Sequence, residues 1–309
     1  MDNRSKIAVA LAKCPEYIPL DVSNIIRGLF ETIAFKPRPG TKVLVKPNLL
    51  TPMPPDHLTC THPLVIRSVC EYLLDFGAEV RVGDSPTFGK AVDIAQSIGL
   101  TQTLEDLPVK IVNLDRPKLV RFSFGGRVPV SRMVLESDLI VSIPKLKAHH
   151  QMRITGAVKN VYGCVSGLGK PILHVLHGDR GCRWENMILE IGQQIPPSVS
   201  LMDAVKAMHV HGPVKGRPYP MGLLAASHSA VALDTSVMTM LGLRPEDAPL
   251  WRLSVNLNLP GSRSQDIVYP LETPESFNGR DFECTKHLYP ISFRPFKLAA
   301  HYIKRFRAQ

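Results

Sequence analysis

The chain has 309 residues, 44% of them hydrophobic and 21% charged, which is typical of a folded globular protein and unlike a disordered or fibrous one. No apolar run reaches the ~20 residues that a membrane-spanning helix needs. The run at residues 7–12 is too short for a secretion signal and lacks a small-residue cleavage site, so a cytoplasmic location is expected. The net charge of +10 favours anionic partners.

The sequence contains no motif for nucleic acid, for an iron–sulfur cluster, for a zinc site or for a nucleotide. Basic residues are dispersed and aromatic residues make up only 6%, so no specific nucleic-acid partner is expected. The six cysteines form no Cys-x-x-Cys pair, which argues against an iron–sulfur or zinc motif and for reduced, mostly buried thiols. Gly167-Leu-Gly-Lys170 is no nucleotide loop, because Cys164 replaces the first glycine and Pro171 the metal-binding hydroxyl.

The first half of the sequence alternates between short β-branched runs and segments with apolar residues at helical spacing. This alternation predicts parallel strands joined by crossover helices. The predicted strands are 7–12, 41–46, 78–82, 109–114 and 138–143, the predicted helices are 22–33, 61–76 and 90–98, and residues 118–130 form a hairpin.

The second half adds strands at 198–202 and 221–226 and helices at 184–195 and 230–241. The pattern predicts an α/β fold, a mostly parallel doubly wound sheet with helices on both faces. Prolines become frequent after this point, which suggests an α/β domain at 1–245 and an irregular extension at 246–309. The basic, aromatic segment 293–307 is expected to dock on its own domain or on another subunit of a homo-oligomer, since membrane-surface binding by one short segment is weak.

A cationic stretch from Lys145 to His174 follows the strand at 138–143 directly, and several glycines interrupt any regular pattern within it. Ligands in open α/β sheets bind just past the carboxyl ends of the strands. We therefore expect a flexible, polar binding loop here. A solvated basic loop without a ligand is the alternative.

Polar residues also follow other predicted strands, and the carboxyl ends of parallel strands share one edge of a sheet. We expect these side chains to converge on one crevice that binds a small anionic molecule. The candidate substrate-binding residues are Lys46, Asn48, Asp84, Ser85, Lys145, Lys147, Asn160 and Asp203.

Histidines are concentrated in the predicted loops of the second half, where they suit proton transfer or metal ligation. His149 and His174 flank the predicted crevice. His209 and His211 would place both rings on one face of an extended segment, a geometry suited to a metal ion. His174, His209 and His211 are the candidate metal ligands, with iron as one candidate metal and nickel as the metal that a resemblance given below implies.

The order of several motifs between residues 40 and 245 resembles the domain-of-unknown-function family 362. These motifs are Val45-Lys-Pro-Asn48, Thr61-His-Pro63, Gly77 to Pro86, His149 to Thr155 with Lys159-Asn160-x-x-Gly163, Asp203 with Gly212-Pro-x-x-Gly216, and Ser227 to Asp234. The resemblance implies an α/β fold and an electron-transfer or reductase activity. Many members carry a ferredoxin module that this sequence lacks, so a reductase would need a separate ferredoxin-like donor.

The sequence departs from the family pattern at two further places. Met208 to His211 replaces the usual acidic residue before Gly212-Pro213, and Ser229 stands where relatives often have an acidic residue. A fainter resemblance links His149, Lys159 and His174 to the nickel-pincer lactate racemase family. It implies that His149 performs acid–base chemistry, Lys159 holds a cofactor covalently and His174 binds nickel.

Three hypotheses remain open at this stage. The first is an enzyme with His149, Lys159 and His174 as catalytic residues, acting as a reductase with an external electron donor. The second is an isomerase or racemase of a hydroxy acid. The third is a non-catalytic binding or partner protein.

Overall fold

A computed structural model describes residues 6–54, 58–86, 89–123, 125–167 and 169–292. The basic segment 293–307 lies outside the described residues. The strands are β1 (Ile7–Ala8), β2 (Ala10–Lys13), β3 (Lys42–Pro47), β4 (Glu79–Asp84), β5 (Lys110–Asn113), β6 (Pro117–Arg121), β7 (Arg127–Ser131), β8 (Leu139–Ile143), β9 (Lys145–His149), β10 (Arg153–Thr155), β11 (Ser198–His209), β12 (Arg217–Tyr219), β13 (Leu223–Ser227) and β14 (Ile267–Val268).

The helices alternate with these strands through most of the chain. They are α1 (Pro19–Thr32), α2 (Pro63–Asp75), α3 (Ala91–Ser97), α4 (Leu100–Thr103), α5 (Arg132–Leu135), α6 (Ala157–Asn160), α7 (Gly169–His177), α8 (Arg183–Gln194), α9 (Ala230–Met240) and α10 (Pro249–Asn256), with short 3-10 helices at Val161–Cys164, Pro245–Asp247, Ser264–Asp266 and Pro274–Ser276.

One large sheet of ten strands organises the molecule. Its main path runs β10-β9-β11-β8-β3-β4-β5, and β12, β13 and β2 extend from the other side of β11. The pairs from β11 through β8, β3 and β4 to β5 are parallel, whereas β13 and β2 are antiparallel additions. The predicted mostly parallel α/β sheet is confirmed.

Helices cover both faces of this sheet, as predicted. On one face α1, α2 and α3 bury Ile26, Val69 and Ile94 against the sheet residues Val43 and Val45. The opposite face is covered by α8, α9 and α10, in two further apolar clusters. Apolar burial on both faces explains why the central strands are continuous hydrophobic runs.

The start of α2 shows how local sequence fixes these elements. His62 is the N-cap and its Nδ1 accepts a hydrogen bond from Leu64 N at 3.3 Å. Pro63 follows at the first helical position, where its missing N–H has no intrahelical partner to lose. The predicted helix start is confirmed, and it matters for the site because the backbone N–H of His62 also contacts Asp203.

The stretch from Lys145 onward is more regular than the expected flexible loop. Residues 145–149 form β9, which pairs with β10 in a hairpin and runs parallel to the distal half of β11. Leu146 and Ala148 are buried in an apolar cluster, so the alternation of a strand turns Lys145, Lys147 and His149 to the other face. The loop prediction was wrong because the polar residues of β9 all belong to one face.

Strand β11 is also longer than the predicted segment at 198–202. Its first residues pair with β8, and its continuation pairs with β9, with a register irregularity between Asp203 and Met208. Asp203 therefore lies in the interior of a twelve-residue strand and not at its tip. β9 and the distal half of β11 extend the sheet beyond the end of β8.

The described part of the C-terminal extension packs on the α/β core. Strand β14 pairs with β1, and Trp251, Phe277 and Phe282 join the apolar cluster around α9. The four buried cysteines, Cys14, Cys60, Cys70 and Cys164, are free thiols. In the described ranges no helix has both the length and the apolar composition needed to cross a membrane.

Replacing Leu146 by Ala tests whether β9 is a buried strand. The side chain is fully buried, so its truncation should lower the free energy of unfolding by about 2–5 kcal/mol. Leu119→Ala is the matched control because Leu119 is a strand leucine that is 59% exposed, and its effect should stay below about 1 kcal/mol. Urea unfolding followed by circular dichroism measures both, and equal small effects would contradict the assignment.

Candidate functional site

A cavity of about 520 Å³, counted to its open mouth, lies at the carboxyl edge of the parallel strands. Four of its lining residues are lysines, and we name it the lysine cavity. It brings together seven of the eleven predicted catalytic and substrate-binding residues, namely Lys46, Asn48, Asp84, Ser85, Lys145, Lys159 and Asn160. The remaining lining residues are Leu49, Leu50, Pro86, Pro144, Thr155, Gly156, Tyr162, Gly163 and Lys170.

A buried ion pair between β3 and β4 forms one wall. Lys46 Nζ lies 2.9 Å from Asp84 Oδ1, and both side chains are almost completely buried. The Asp84 carboxylate also accepts hydrogen bonds from Leu49 N and Ser85 N, each at 2.8 Å. Such bonds stabilise the ionised carboxylate and fix the chain where it leaves both strands.

Gly163 explains how the next segment can pass over this ion pair. A Cβ atom at this position would lie 2.3 Å from Asp84 Oδ1 and 2.4 Å from Lys46 Nζ. Only glycine permits so close an approach without displacing the pair. The Lys159-Asn160-x-x-Gly163 motif thus holds its glycine for a packing reason.

Asn160 connects this segment to the sheet. Its Oδ1 accepts from Lys46 Nζ at 3.2 Å and its Nδ2 donates to Ser142 Oγ at 2.9 Å. Asn48 Nδ2 donates to the same Oδ1 at 3.4 Å. Asn160 is therefore a structural link among β3, β8 and α6 as well as a cavity wall.

A second buried ion pair joins β9 to β11. Lys145 Nζ lies 3.0 Å from Asp203 Oδ2 and donates to Tyr17 Oη at 2.6 Å. The hydroxyl of Tyr17 donates to Asp203 Oδ1 at 2.7 Å, and His62 N donates to Asp203 Oδ2 at 2.9 Å. Burial and the carboxylate beside it raise the pKa of Tyr17 well above its usual value, so the phenol stays protonated.

Three further lysines lack such a carboxylate. Lys147 Nζ donates to Asn48 Oδ1 at 2.5 Å and to Thr59 O at 2.6 Å, both of them neutral acceptors. Burial lowers the pKa of Lys147 to about 7. Lys147 lies beside the lysine cavity and is not one of its lining residues.

Lys170 and Lys159 line the lysine cavity itself. Lys170 Nζ donates to the carbonyl oxygen of Ser85. Among the described residues, Lys159 Nζ has no hydrogen-bond acceptor or ion-pair partner, and the ring centroids of Tyr162 and Trp184 each lie 5.9 Å from it. Burial lowers the pKa of both lysines to about 8. The Asp84 carboxylate opposes this effect at Lys170, and the Lys46 charge adds to it at both lysines.

A third buried carboxylate, Asp234, does not compensate these charges. Its oxygens accept from Ala157 N at 2.6 Å and Val158 N at 3.0 Å, at the first turn of α6. Burial raises the pKa of Asp234 to about 7 despite those bonds. Gly156 is needed here because a Cβ atom would lie 2.2 Å from Asp234 Oδ1. Asp234 therefore holds the helix that carries Lys159.

His149 is a buried neutral imidazole beside the lysines. Its Nδ1 accepts from Gln151 N at 3.0 Å and Met152 N at 3.2 Å, which places the ring proton on Nε2. Burial and then the charge of Lys159 lower its pKa well below the usual value. His149 is not among the residues that line the lysine cavity.

His174 is held from the other side, on α7. Its Nδ1 lies 2.9 Å from Ile291 O, so Nδ1 carries the proton, and its ring packs 5.1 Å from Trp184. Burial lowers the pKa of His174 to about 4, and the charge of Lys159 contributes. The charge of Lys159 thus lowers the pKa of both His149 and His174. The catalytic role of these three residues stays a prediction.

The predicted metal ligands are not brought together. Val210 has a φ of 69° and His211 N donates to His209 O at 3.0 Å, so a tight turn replaces the expected extended segment. His209 packs against Tyr219 and Phe282. Within the described ranges, no group of three or more His, Cys, Asp or Glu side chains could hold one metal ion.

Sequence reasoning missed several residues of the site. Lys170 lies in a sequence that only superficially resembles a nucleotide loop, and no motif includes Tyr17. The sequence does carry a signal for Asp234, which belongs to the Ser227 to Asp234 motif. The contact of Tyr17 with Asp203 spans 186 residues of sequence, so no local pattern predicts it.

The chain matches the model of the family described as "Domain of unknown function (DUF362)" over residues 43–239. It is also 32% identical to the thylakoid-associated protein sll1697 of Synechocystis sp. over 257 residues, which are 83% of this chain and 80% of that protein. The chain belongs to the DUF362 family. The resemblance drawn from its motifs is confirmed.

Two solved structures are similar at low identity. A protein from Thermotoga maritima aligns with a TM-score of 0.45 and 15% identity, over 71% of this chain and 57% of that one. The lactate racemase apoprotein from Thermoanaerobacterium thermosaccharolyticum aligns with a TM-score of 0.45 and 12% identity, over 74% of this chain and 56% of that one. This chain thus spans less than two thirds of either structure, and similarities of this size carry no functional argument.

Replacing Asp84 by Asn tests the buried ion pair. The substitution leaves the Lys46 ammonium buried without its counter-charge, and we expect a loss of about 3–5 kcal/mol in the free energy of unfolding. Asp106→Asn is the matched control, because Asp106 is an exposed carboxylate whose ion pair with Arg67 is screened by solvent, and its effect should be much smaller than that of Asp84→Asn. Urea denaturation gives the free energy of unfolding of both variants. If Asp84→Asn is as stable as the unaltered protein, the Lys46–Asp84 pair does not stabilise this edge of the sheet.

Proposed function

We propose that this member of the DUF362 family is an enzyme that binds a small organic anion in the lysine cavity. The observation that carries the proposal is the charge imbalance at the carboxyl edge of the sheet. Two of the five lysines there have carboxylate partners, and Lys147, Lys159 and Lys170 have none among the described residues. An anionic ligand would supply the missing counter-charge.

The free energy of burial supports this proposal. An isolated charge removed from water is strongly disfavoured, and proteins usually pair it or lower its pKa. The pKa values of Lys147, Lys159 and Lys170 are lowered to between about 7 and about 8. A site that keeps three such ammonium groups close together is destabilising by itself, so we infer that ligand binding compensates for it.

The lining indicates the kind of anion. Leu49, Leu50 and Pro86 add apolar surface to the lining of the lysine cavity. Asn48 and Thr155 supply neutral hydrogen-bonding groups. A short carbon skeleton with a carboxylate or phosphate group matches this combination.

Proton transfer is the chemistry that the neighbouring groups support. A lysine with a pKa near 8 is present in both protonation states close to neutral pH. The Nε2–H of neutral His149 is a hydrogen-bond donor beside it. We propose these two residues as proton-handling groups, with His174 as a second neutral imidazole.

Two specific enzyme activities, those of a reductase and of an isomerase, remain proposals. A reductase would need an external electron carrier such as a ferredoxin-like protein, and an isomerase of the nickel-pincer type would need its own cofactor. A non-catalytic anion-binding protein is the alternative to both. The cytoplasmic location is likewise proposed, and the thylakoid association named for the Synechocystis relative makes fractionation of native cells the relevant measurement.

Lys159→Met should change ligand affinity and stability in opposite directions. It removes an ammonium group that has no acceptor among the described residues, so the ligand-free protein should gain roughly 1–3 kcal/mol in free energy of unfolding. Loss of a charge-assisted contact should weaken anion binding about 10-fold or more. Urea unfolding and calorimetric titration with phosphate, succinate and pyruvate measure the two effects.

The matched control is Lys206→Met, because Lys206 is an exposed lysine of β11 that does not line the lysine cavity. It should change neither quantity by more than about 0.5 kcal/mol. If Lys159→Met binds the same anions as well as the unaltered protein does, the assignment of the site fails. If none of the three anions binds the unaltered protein, the proposed function fails for these ligand classes.

Anion binding should also take up protons. In the ligand-free protein the pKa is about 7 for Lys147 and about 8 for Lys159 and Lys170. A bound negative charge raises all three pKa values, so above pH 7 the complex holds protons that the free protein has lost. Affinity should therefore fall as the pH rises through 8. Calorimetry at pH 8 in buffers of different ionisation enthalpy measures the uptake, and an affinity that rises with pH would contradict it.

A further inference from the structure

We propose that Lys159 forms an imine with the carbonyl carbon of a small 2-oxo acid bound in the lysine cavity. This inference rests on the proposed function and deepens it by naming a substrate class and a covalent step. It assigns Lys159 a role distinct from that of the other lysines at the site.

The contacts of Lys159 separate it from its neighbours. Each of the other four lysines donates to at least one oxygen atom, as in the bonds of Lys46 to Pro47 O and of Lys147 to Thr59 O. Within the described residues Lys159 Nζ has no such acceptor, although it lines the lysine cavity. Its nitrogen lone pair, once the proton is lost, is therefore not constrained by a protein hydrogen bond.

The surroundings of Lys159 favour the neutral amine. Two aromatic rings, those of Tyr162 and Trp184, lie 5.9 Å from Nζ and limit its hydration. The ammonium group of Lys46 stands nearby and disfavours a second positive charge. Desolvation and a neighbouring cation are the two means by which proteins activate lysine as a nucleophile toward carbonyl compounds.

A 2-oxo acid has a group for each of two features of the site, a carboxylate for a lysine ammonium group and a carbonyl carbon for the Lys159 nitrogen. Its carboxylate would face Lys170, which lines the lysine cavity and has no ion-pair partner in the described structure. Its carbonyl carbon is directly bonded to that carboxylate, so one small molecule can contact a fixed cation and the nucleophile together. A plain carboxylate would use only the first of these features.

The covalent step balances without another reactant. The nitrogen of Lys159 forms a bond to the carbonyl carbon, the carbon–oxygen double bond breaks, and the oxygen leaves as water with two of the three ammonium protons. The product is an iminium ion that keeps the single positive charge.

Reductive trapping tests the inference on the full chain. The protein is incubated with pyruvate and sodium cyanoborohydride and then examined by intact mass and peptide mapping. We expect one reduced adduct, located on Lys159, that is lost in Lys159→Met and retained in Lys206→Met. Excess propanoate, which has the carboxylate without the carbonyl group, should slow the labelling by competition.

Calorimetric titration with propanoate, performed in parallel, separates the two levels of the argument. Propanoate binding without an adduct on Lys159 would overturn the imine and leave anion binding intact. Labelling spread over exposed lysines, or labelling unaffected by Lys159→Met, would also overturn it. Neither binding nor labelling would overturn both this inference and the assignment of the cavity to small carboxylates.

Discussion

The burial of lysine ammonium groups at one edge of the sheet is the constraint on which the rest of the site depends. Removing an ammonium group from water is costly unless a counter-charge accompanies it. The structure meets this cost for Lys46 with Asp84 and for Lys145 with Asp203. It leaves Lys147, Lys159 and Lys170 on neutral acceptors or none in the described ranges. Burial lowers the pKa of these three lysines, as it also lowers the pKa of Lys145 beside Asp203. A bound anion is the simplest group that would complete the balance.

The fold serves this arrangement by extending the sheet past the end of β8. β9 and the distal half of β11 continue beyond that point, and their pairing holds Lys145 and Asp203 opposite each other. The segment with α6 and the following 3-10 helix then closes over β3 and β4, where Gly163 passes directly above the Lys46–Asp84 pair. Asp234 fixes the first turn of α6 from α9. The lysine cavity is therefore enclosed by elements far apart in the sequence, and its rigidity depends on backbone contacts as much as on charge.

The sheet could be predicted from the sequence because the spacing of apolar residues and the composition of each short run indicate which positions are buried. Runs such as residues 41–46 and 138–143 are apolar on both faces, and only central strands of a covered sheet have that pattern. The same reasoning failed for β9, since a strand with one face on a polar cavity looks like a cationic loop. It failed for His209 and His211, where the positive φ of Val210 turns the chain. Convergence at the carboxyl edge was predictable from topology, but the pairing of particular lysines with particular carboxylates was not, because it depends on three-dimensional distances.

The most direct test of the charge imbalance is a lysine titration by nuclear magnetic resonance, with the protein labelled at lysine Cε with carbon-13. The structure predicts that Lys147, Lys159 and Lys170 titrate between about pH 7 and pH 8 in the ligand-free protein. Saturation with a bound anion should move these three midpoints upward. If every lysine of the ligand-free protein titrated near the ordinary value of about 10.4, the ammonium groups would be solvated or paired, and the account of the site would be wrong.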